Sequence, residues 1–212
     1  MWPLLQIALD LTDKKRALEI ANLIAPLVDI LEVGTPLLKA VGVEIITSLK
    51  QLYPNKLILA DTKTMDVGKV EAELVFNARA DMMTVCAAAP LETIKAAVTK
   101  TQTLNKKIVV DFIGVENKLE RGREIVSLKP DYFNLHTAID VQQIKGKSFE
   151  DLDLFKKHFN IPLCVAGGII PEDIPKFMPY KPAIIIVGGF VTKAKDPKSA
   201  VIALKKEIEH AL

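Results

Sequence analysis

Eight short runs of apolar residues recur along the chain, each rich in Val, Ile, Leu or Ala and with little alternation of apolar and polar positions. This pattern is typical of strands buried on both faces of a parallel sheet. The runs start 21 to 30 residues apart, which leaves room for one helix and two loops between consecutive strands. The predicted strands are Leu4–Asp10, Ile30–Gly34, Leu57–Lys63, Met82–Ala87, Lys107–Ile113, Tyr132–Thr137, Pro162–Gly168 and Ala183–Gly189.

The segments between these runs carry apolar residues at helical spacing. Thr12 and Asp13 are N-cap candidates for the first helix. Pro171 and Pro197 begin the last two, at a position where a missing N–H costs nothing. The other predicted helices are Lys14–Leu27, Leu37–Leu52, Val70–Ala80, Leu91–Gln102, Leu119–Leu128 and Phe149–Phe159.

Eight strand–helix repeats with right-handed crossovers predict an α/β fold, a single (β/α)8 TIM barrel that occupies residues 1–212. An open doubly wound sheet is the alternative, but no G-x-G-x-x-G motif follows the first strand. We find no linker, low-complexity segment or second domain in the sequence.

Composition and net charge argue against some kinds of partner and indicate a compartment. The net charge is +2 and the basic residues are scattered, so we expect no nucleic-acid partner and no membrane association. The chain start lacks the features of a signal peptide, and the two cysteines, Cys86 and Cys164, lie inside apolar runs. Buried free thiols are expected there, which fits a cytoplasmic protein.

Charged and titratable residues gather where the buried strands end. An unpaired buried carboxylate costs at least several kcal/mol, so a core strand should stop before one appears. The carboxyl-terminal strand ends of a barrel are also where catalytic groups gather, which predicts a functional site on that rim. The residues concerned are Asp10, Glu32, Asp61, Lys63, Asp66, Asp111 and His136.

Taken singly, several of these residues have a purely structural interpretation. Asp10 is suited to a turn before the first helix, and Asp66 to an N-cap after the third strand. Asp61 and Lys63 lie two apart on a strand and would form an ordinary ion pair. His136 alone would be read as a hydrogen-bonded core histidine. Their convergence on one rim is what favours a functional site.

The residue types on this rim indicate part of its chemistry. Glu32 and Asp61 come from adjacent strands and could share a hard divalent cation, Mg²⁺ or Mn²⁺, with water and substrate oxygens. The chain has neither paired cysteines nor a His-x-x-x-His motif, which argues against zinc. Lys63 offers a positive charge for an oxyanion, and His136 is the natural proton carrier near neutral pH.

Paired glycines follow the last two predicted strands, Gly167-Gly168 after the seventh and Gly188-Gly189 after the eighth. Glycines here expose backbone N–H groups, and the loops after strands 7 and 8 form the usual phosphate pocket of such barrels. A single Gly-Gly pair would more often mark a turn. Two pairs at these strands predict a phosphorylated substrate.

The run Asp61-Thr62-Lys63-Thr64-Met65-Asp66 matches the D-x-K-x-x-D motif of the orotidine monophosphate decarboxylase superfamily. The chain resembles this superfamily over essentially its whole length, including Ala8-Leu9-Asp10 and the segment 31–36. The resemblance implies a homodimer with shared active sites, in which Asp66 reaches the neighbouring subunit.

Five further positions refine the resemblance. Glu32 stands where the metal-independent nucleotide decarboxylases carry a lysine, which implies the Mg²⁺-dependent branch that acts on sugar phosphates. Within that branch, some members condense formaldehyde with ribulose 5-phosphate and others decarboxylate a ketogulonate phosphate. Four pocket positions match the formaldehyde-condensing members, and two of them lack the arginine of the decarboxylating members. These positions are Asp111, Ile139, Ala166 and Gly189.

The resemblance also implies a role for each residue. His136 removes a proton to leave an enediolate, and Lys63 with the cation on Glu32 and Asp61 stabilises the negative charge. Asp10 and Asp66 orient substrate hydroxyls and the lysine. The expected substrate-binding residues are Asp111, Ala166, Gly168, Gly188 and Gly189. Ketogulonate phosphate decarboxylation and a non-catalytic sugar-phosphate-binding barrel remain the alternatives.

Overall fold

The structure, a computed structural model, describes residues 2–138, 140 and 150–211. Eight parallel strands close into a barrel in chain order, each hydrogen-bonded to its sequence neighbour and the last to the first. The predicted TIM barrel is confirmed, and the open sheet is excluded. The strands are β1 (Leu4–Leu9), β2 (Ile30–Val33), β3 (Leu57–Thr64), β4 (Met82–Cys86), β5 (Lys107–Asp111), β6 (Tyr132–His136), β7 (Leu163–Ala166) and β8 (Ile184–Val187).

Helices flank the strands, and most lie where the sequence predicts them. Asp13 caps the first helix, because its carboxylate accepts the backbone N–H of Arg16 at 2.9 Å. The helices used below are α1 (Lys14–Ile24), α2 (Thr35–Val41), α3 (Glu44–Leu52), α4 (Gly68–Asn77), α5 (Leu91–Thr103), α6 (Lys118–Ile125), α7 (Glu150–His158), α8 (Ile174–Phe177), α9 (Gly189–Thr192) and α10 (Pro197–His210).

Three helix predictions differ from the structure, each for a local backbone reason. The single helix predicted over 37–52 is two helices, because Gly42 adopts a φ of +76° and ends α2. The first helix ends at Ile24 and continues as a 3₁₀ turn, since Pro26 cannot donate a backbone hydrogen bond. The short α9 after β8 was not predicted from the pattern, because four residues are too few to show a period.

Two apolar layers hold the barrel together. The larger lies between the strands and the helices, and includes Phe112, Phe133 and Phe155, whose rings pack edge to face with centroids 5.0 to 5.9 Å apart. The smaller fills the barrel interior below the rim with Ile30, Leu59, Met82, Val109, Cys164 and Ile184. The interior is therefore a packed core whose upper end carries the polar residues.

Both cysteines are buried free thiols, as predicted. Burial raises the pKa of the Cys86 thiol to about 11, with a further contribution from Asp111, so Cys86 stays protonated at neutral pH. None of the helices among the described residues is long and apolar enough to cross a bilayer.

Candidate active site

The carboxyl-terminal rim of the barrel brings most of the predicted residues together. Glu32 lies in β2, Asp61 and Lys63 in β3, and Asp111 and His136 end β5 and β6. Glu32, Asp61 and Asp111 are at most 6% exposed. Such burial of three acids requires hydrogen-bond donors and positive charge close by.

An irregularity in β3 shapes this site. Ala60 pairs with Met83 of β4, but the next paired residue is Thr64, so the residues between them lie opposite Thr84. Lys63 adopts a φ of +45°, a backbone conformation that few residues other than glycine adopt. The Thr84 hydroxyl accepts the Lys63 backbone N–H at 2.9 Å and donates to Asp61 Oδ1 at 2.8 Å. The bulge therefore turns both Asp61 and Lys63 toward the barrel mouth.

A chain of charged contacts crosses the rim from β3 to β6. Lys63 Nζ lies 2.7 Å from Asp61 Oδ2 and 3.3 Å from Asp111 Oδ2. The same Asp111 oxygen lies 3.0 Å from His136 Nδ1, while its other oxygen accepts the backbone N–H of Ile113 at 2.9 Å. Asp111 is therefore held between two potential cations, with one backbone donor.

These contacts shift the pKa values of Lys63 and Asp111. Burial alone would lower the pKa of Lys63, but the carboxylates of Asp61 and Asp111 outweigh it and raise that pKa above the ordinary lysine value. Burial would likewise raise the pKa of Asp111, but His136 and Lys63 outweigh it and lower that pKa. A charged Asp111 accepts the Nδ1 proton of His136, which leaves the imidazole Nε2 as the basic nitrogen.

Asp10, Glu32 and Asp61 form a second group, in which negative charge is in excess. Complete burial raises the pKa of Glu32 well above its ordinary value, and the charges of Asp61 and Asp10 add to this. Asp10 directly follows β1 at the mouth and is exposed as a whole residue, but Gly34 and Gly188 lie close to its carboxylate. Desolvation and then the Asp61 charge raise its pKa as well. A bound cation would relieve this repulsion.

The donor set fits the predicted divalent cation. Lys63 donates to Asp61 Oδ2, and the Thr35 hydroxyl shares its one proton between this oxygen, at 2.9 Å, and the Asp61 backbone carbonyl, at 2.7 Å. Among the described residues, Asp61 Oδ1 accepts only the Thr84 hydroxyl. Glu32 Oε2 accepts from Gln6, and its Oε1 carries no hydrogen bond from a described residue. Lone pairs therefore remain on hard carboxylate oxygens of both residues. No group of three His, Cys, Asp or Glu among the described residues is placed to hold a metal, so Glu32 and Asp61 would hold the cation together with water and substrate oxygens.

Two glycines make room for the Asp10 carboxylate. A Cβ added to Gly34 would lie 2.1 Å from Asp10 Oδ1, and one added to Gly188 would lie 3.0 Å from Oδ2. Gly167 and Gly168, after β7, have φ values of +113° and +61°, which disfavour any side chain. Gly189 has no such restriction, since an added Cβ there would meet only the Lys193 side chain, at 3.7 Å or more.

Asp66 is the one predicted catalytic residue that the structure leaves outside this network. It is exposed, and its Oδ1 accepts the N–H of the following residue, Val67, at 2.7 Å. The structural interpretation of Asp66 as an N-cap is wrong, because α4 begins at Gly68 with Val67 as its N-cap and no side-chain cap bond. Val67 has a φ of +47°, which is strained for a β-branched residue.

Exposed apolar side chains surround Asp66. Met65 and Val67 flank it in the loop, and Val70 and Leu74 continue the patch along α4, all four between 49% and 59% exposed. We call these four residues the α4 patch.

Sequence reasoning missed three side chains that hold the acids. Gln6 donates to Glu32, while Thr35 and Thr84 donate to Asp61. Gln6 could have been recognised from the sequence, since it is the polar member of an otherwise apolar strand. Threonine is too common in strands to be recognised in this way. Ala166 pairs in register with His136 at the end of β7. Ile139 lies outside the described residues.

The comparisons with known proteins agree with this geometry. The model of the orotidine 5′-phosphate decarboxylase / HUMPS family matches residues 3–204. The chain belongs to this family. A 3-hexulose-6-phosphate synthase of Mycobacterium gastri is 38% identical, over 96% of this chain and 99% of the relative.

Solved structures of the orotidine 5′-phosphate decarboxylase / HUMPS family match just as fully. The 3-hexulose-6-phosphate synthase of Salmonella typhimurium has a TM-score of 0.94 at 33% identity, covering 99% of this chain and 100% of that one. The 3-keto-L-gulonate-6-phosphate decarboxylase of Vibrio cholerae has a TM-score of 0.89 at 31% identity, covering 100% of both chains. The resemblance inferred from the D-x-K-x-x-D motif is confirmed.

The charge excess at Glu32 predicts a gain in stability on its removal. Glu32→Gln should raise Tm at pH 8 without divalent cations, by about 2–4 °C for each kcal/mol of repulsion relieved. A carboxyl with a raised folded-state pKa costs stability above that pKa and nothing below its ordinary value of 4.5, so the gain should vanish near pH 4. Thermal unfolding across this pH range measures it.

The exposed Glu116→Gln is the matched control and should leave Tm unchanged at both pH values. An unchanged Tm for Glu32→Gln at pH 8, or a gain that persists at pH 4, would contradict the electrostatic account.

Proposed function

We propose that the protein is a 3-hexulose-6-phosphate synthase, an aldehyde lyase that condenses formaldehyde with D-ribulose 5-phosphate and catalyses the reverse cleavage. The observation that carries the proposal is the Lys63–Asp111–His136 chain beside an excess of carboxylate charge, in a protein 38% identical to a relative of that name. The residues assigned as base, charge stabiliser and cation ligands lie on one rim, which supports the proposal.

Proton removal is assigned to His136. Its Nδ1 is fixed on Asp111 at 3.0 Å, and the ring is only half-buried, so Nε2 can face a substrate in the mouth. The base takes the proton from C1 of the sugar phosphate, and the C–H electron pair passes into an enediolate. Asp111 stabilises the imidazolium that forms.

Charge on the enediolate oxygens is stabilised by Lys63, whose ammonium is already oriented by Asp61 and Asp111. A divalent cation on Glu32 and Asp61 would supply Lewis-acid polarisation of the sugar oxygens. C1 of the enediolate then forms a carbon–carbon bond with formaldehyde, and the ketone at C2 of the sugar re-forms. The C=O π pair of formaldehyde passes to its oxygen, which takes up the proton held by His136. Asp10, between Gly34 and Gly188, is placed to orient substrate hydroxyls.

The phosphate is assigned to the loops after β7 and β8. Gly168 and the Gly188–Gly189 pair present backbone N–H groups there, and the left-handed φ of Gly168 helps to form an anion-binding concavity. Asp111 and Ala166 are assigned to the sugar beside this end, because Asp111 contacts Lys63 and His136, and Ala166 pairs with His136 at the end of β7.

Decarboxylation of 3-keto-L-gulonate 6-phosphate is the second candidate, since the same enediolate would serve it. Ala166 and Gly189 argue against it as the main reaction, because neither supplies a side-chain donor to a longer, more polar sugar acid. The relative with that activity is also less similar, at 31% identity against 38% for the Mycobacterium gastri synthase.

Formaldehyde uptake tests the proposal directly. The purified protein is incubated with ribulose 5-phosphate, Mg²⁺ and formaldehyde, and formaldehyde loss is followed with time. We expect turnover in the wild type and a kcat lower by about 10²–10⁴-fold in His136→Ala, because a general base is lost. His158→Ala, on the exposed end of α7, is the matched control and should keep full activity.

Absence of formaldehyde loss in the wild type would refute the synthase. Faster CO₂ release from 3-keto-L-gulonate 6-phosphate than formaldehyde uptake would favour the decarboxylase. A barrel that only binds sugar phosphates would bind ribulose 5-phosphate equally well with and without His136, and would turn over neither substrate.

We also propose that the protein is a homodimer in which Asp66 completes the partner's site. The α4 patch is a contiguous exposed apolar surface, of the kind that marks an interaction site. Asp66 lies within this patch, three residues after Lys63 of β3, and among the described residues its side chain accepts a hydrogen bond only from the backbone N–H of Val67. The strain at Val67 fits a loop held in place by an assembly.

Subunit mixing tests the shared site. Asp66→Ala and Lys63→Met proteins should each be inactive, but dimers formed from one of each contain one site with neither defect. After exchange of subunits, roughly a quarter of wild-type activity should therefore return. Val70→Asp, in the α4 patch, should shift the dimer toward monomer in sedimentation velocity.

Ile202 of α10 is exposed to a similar extent, at 49%, and Ile202→Asp is the matched control. A wild-type monomer, or mixtures that stay inactive although subunits exchange, would refute the shared site.

A further inference from the structure

Gln6 occupies an unfavourable position for a polar side chain. It lies in β1, is 1% exposed, and pairs in register with Ile30 of β2 and Ile186 of β8. Its Nε2 donates to Glu32 Oε2 at 2.6 Å, whereas its Oε1 is buried without a hydrogen-bond partner. An unpaired buried carbonyl costs free energy, and an aliphatic residue would suit these neighbours better. The amide therefore has a use other than packing.

The orientation of the amide identifies that use. Turning it over would place Oε1 against Glu32 Oε2, oxygen facing oxygen, and would lose the short contact. The amide is held with its nitrogen toward Glu32 even though this leaves its own oxygen unpaired. The interaction with Glu32 thus decides how Gln6 lies.

Glu32 depends on Gln6 more than the other buried acids depend on any one donor. Asp61 accepts from Lys63 and Thr84 and shares the Thr35 hydroxyl with its own backbone carbonyl, so the loss of one donor leaves another. For Glu32, Gln6 is the sole hydrogen-bond donor that the described residues provide. The nearby charges of Asp61 and Asp10 push this carboxylate away.

We infer that Gln6 is a positioning residue for cation binding. By holding Oε2, it fixes the plane of the Glu32 carboxylate and presents Oε1, with both lone pairs free, toward Asp61. The inference rests on the proposed function, because it requires the divalent cation assigned to Glu32 and Asp61. Donors of this kind, one step removed from a metal, orient the ligands that they contact.

Metal affinity without substrate tests the inference. Gln6→Leu keeps the size of the side chain and removes the donor, and Gln6→Met is a second variant in case the branched side chain does not fit. Binding of Mn²⁺ is measured by the electron paramagnetic resonance of the free ion. We expect each folded variant to bind Mn²⁺ about 10–100-fold more weakly than the wild type. The exposed Gln102→Leu, on α5, is the matched control and should bind normally.

A double-mutant cycle separates positioning from general damage. If Gln6 acts through Glu32, then Gln6→Leu should weaken Mn²⁺ binding in the wild type but have no further effect in the Glu32→Gln background. Normal Mn²⁺ affinity in a folded Gln6 variant would overturn the inference, as would an equal loss in both backgrounds. A wild-type protein that consumes formaldehyde without binding Mn²⁺ would overturn the inference and leave the proposed reaction standing.

Discussion

The ammonium of Lys63, between the carboxylates of Asp61 and Asp111, is the contact on which the candidate site depends. Three buried acids at the mouth of a barrel would repel one another, and each would favour its neutral form. Lys63 compensates two of them at 2.7 and 3.3 Å, and His136 adds a donor to Asp111. His136 and Lys63 outweigh burial and lower the pKa of Asp111, while burial and neighbouring acids raise the pKa of Glu32 and of Asp10.

This division of charge gives the two sides of the rim different tasks. On the Asp111 side, compensation is complete and the contacts are fixed, which suits a proton carrier that must keep one tautomer. On the Glu32 side, the carboxylates are under-compensated, which suits a cation. The cost to stability is the ordinary cost of a functional site, and the packed interior below the rim, with Leu59, Val109 and Cys164, supports it.

Much of this could be predicted from the sequence, because the causes are local. Apolar runs of regular spacing predict the strands, and an acid at the end of such a run, like Asp111, is conspicuous because burial is costly. The bulge in β3 could not be predicted, since it depends on how Thr84 of the next strand satisfies the backbone of Lys63. The need for glycine at position 34 could not be predicted either, because it arises from the carboxylate of Asp10, which is 24 residues earlier in the chain.

In the proposed mechanism, substrate choice depends on positions other than the charged residues of the rim. Asp10, Lys63 and His136 would serve any reaction that passes through an enediolate. We expect the small uncharged residues Ala166 and Gly189 to determine how much room and polarity the pocket offers beyond that intermediate. Relatives with different reactions can therefore share almost the whole fold.

Exchange of the C1 proton of ribulose 5-phosphate tests the central claim most directly, because it reports enediolate formation without the second substrate. The protein is incubated with ribulose 5-phosphate and Mg²⁺ in D₂O without formaldehyde, and the C1 proton signal is followed by NMR. The account predicts loss of one C1 proton signal with the wild type, and loss of this exchange in His136→Ala and Lys63→Met. Formaldehyde consumption by a wild-type protein that exchanges no C1 proton would contradict the account, as would undiminished exchange in His136→Ala.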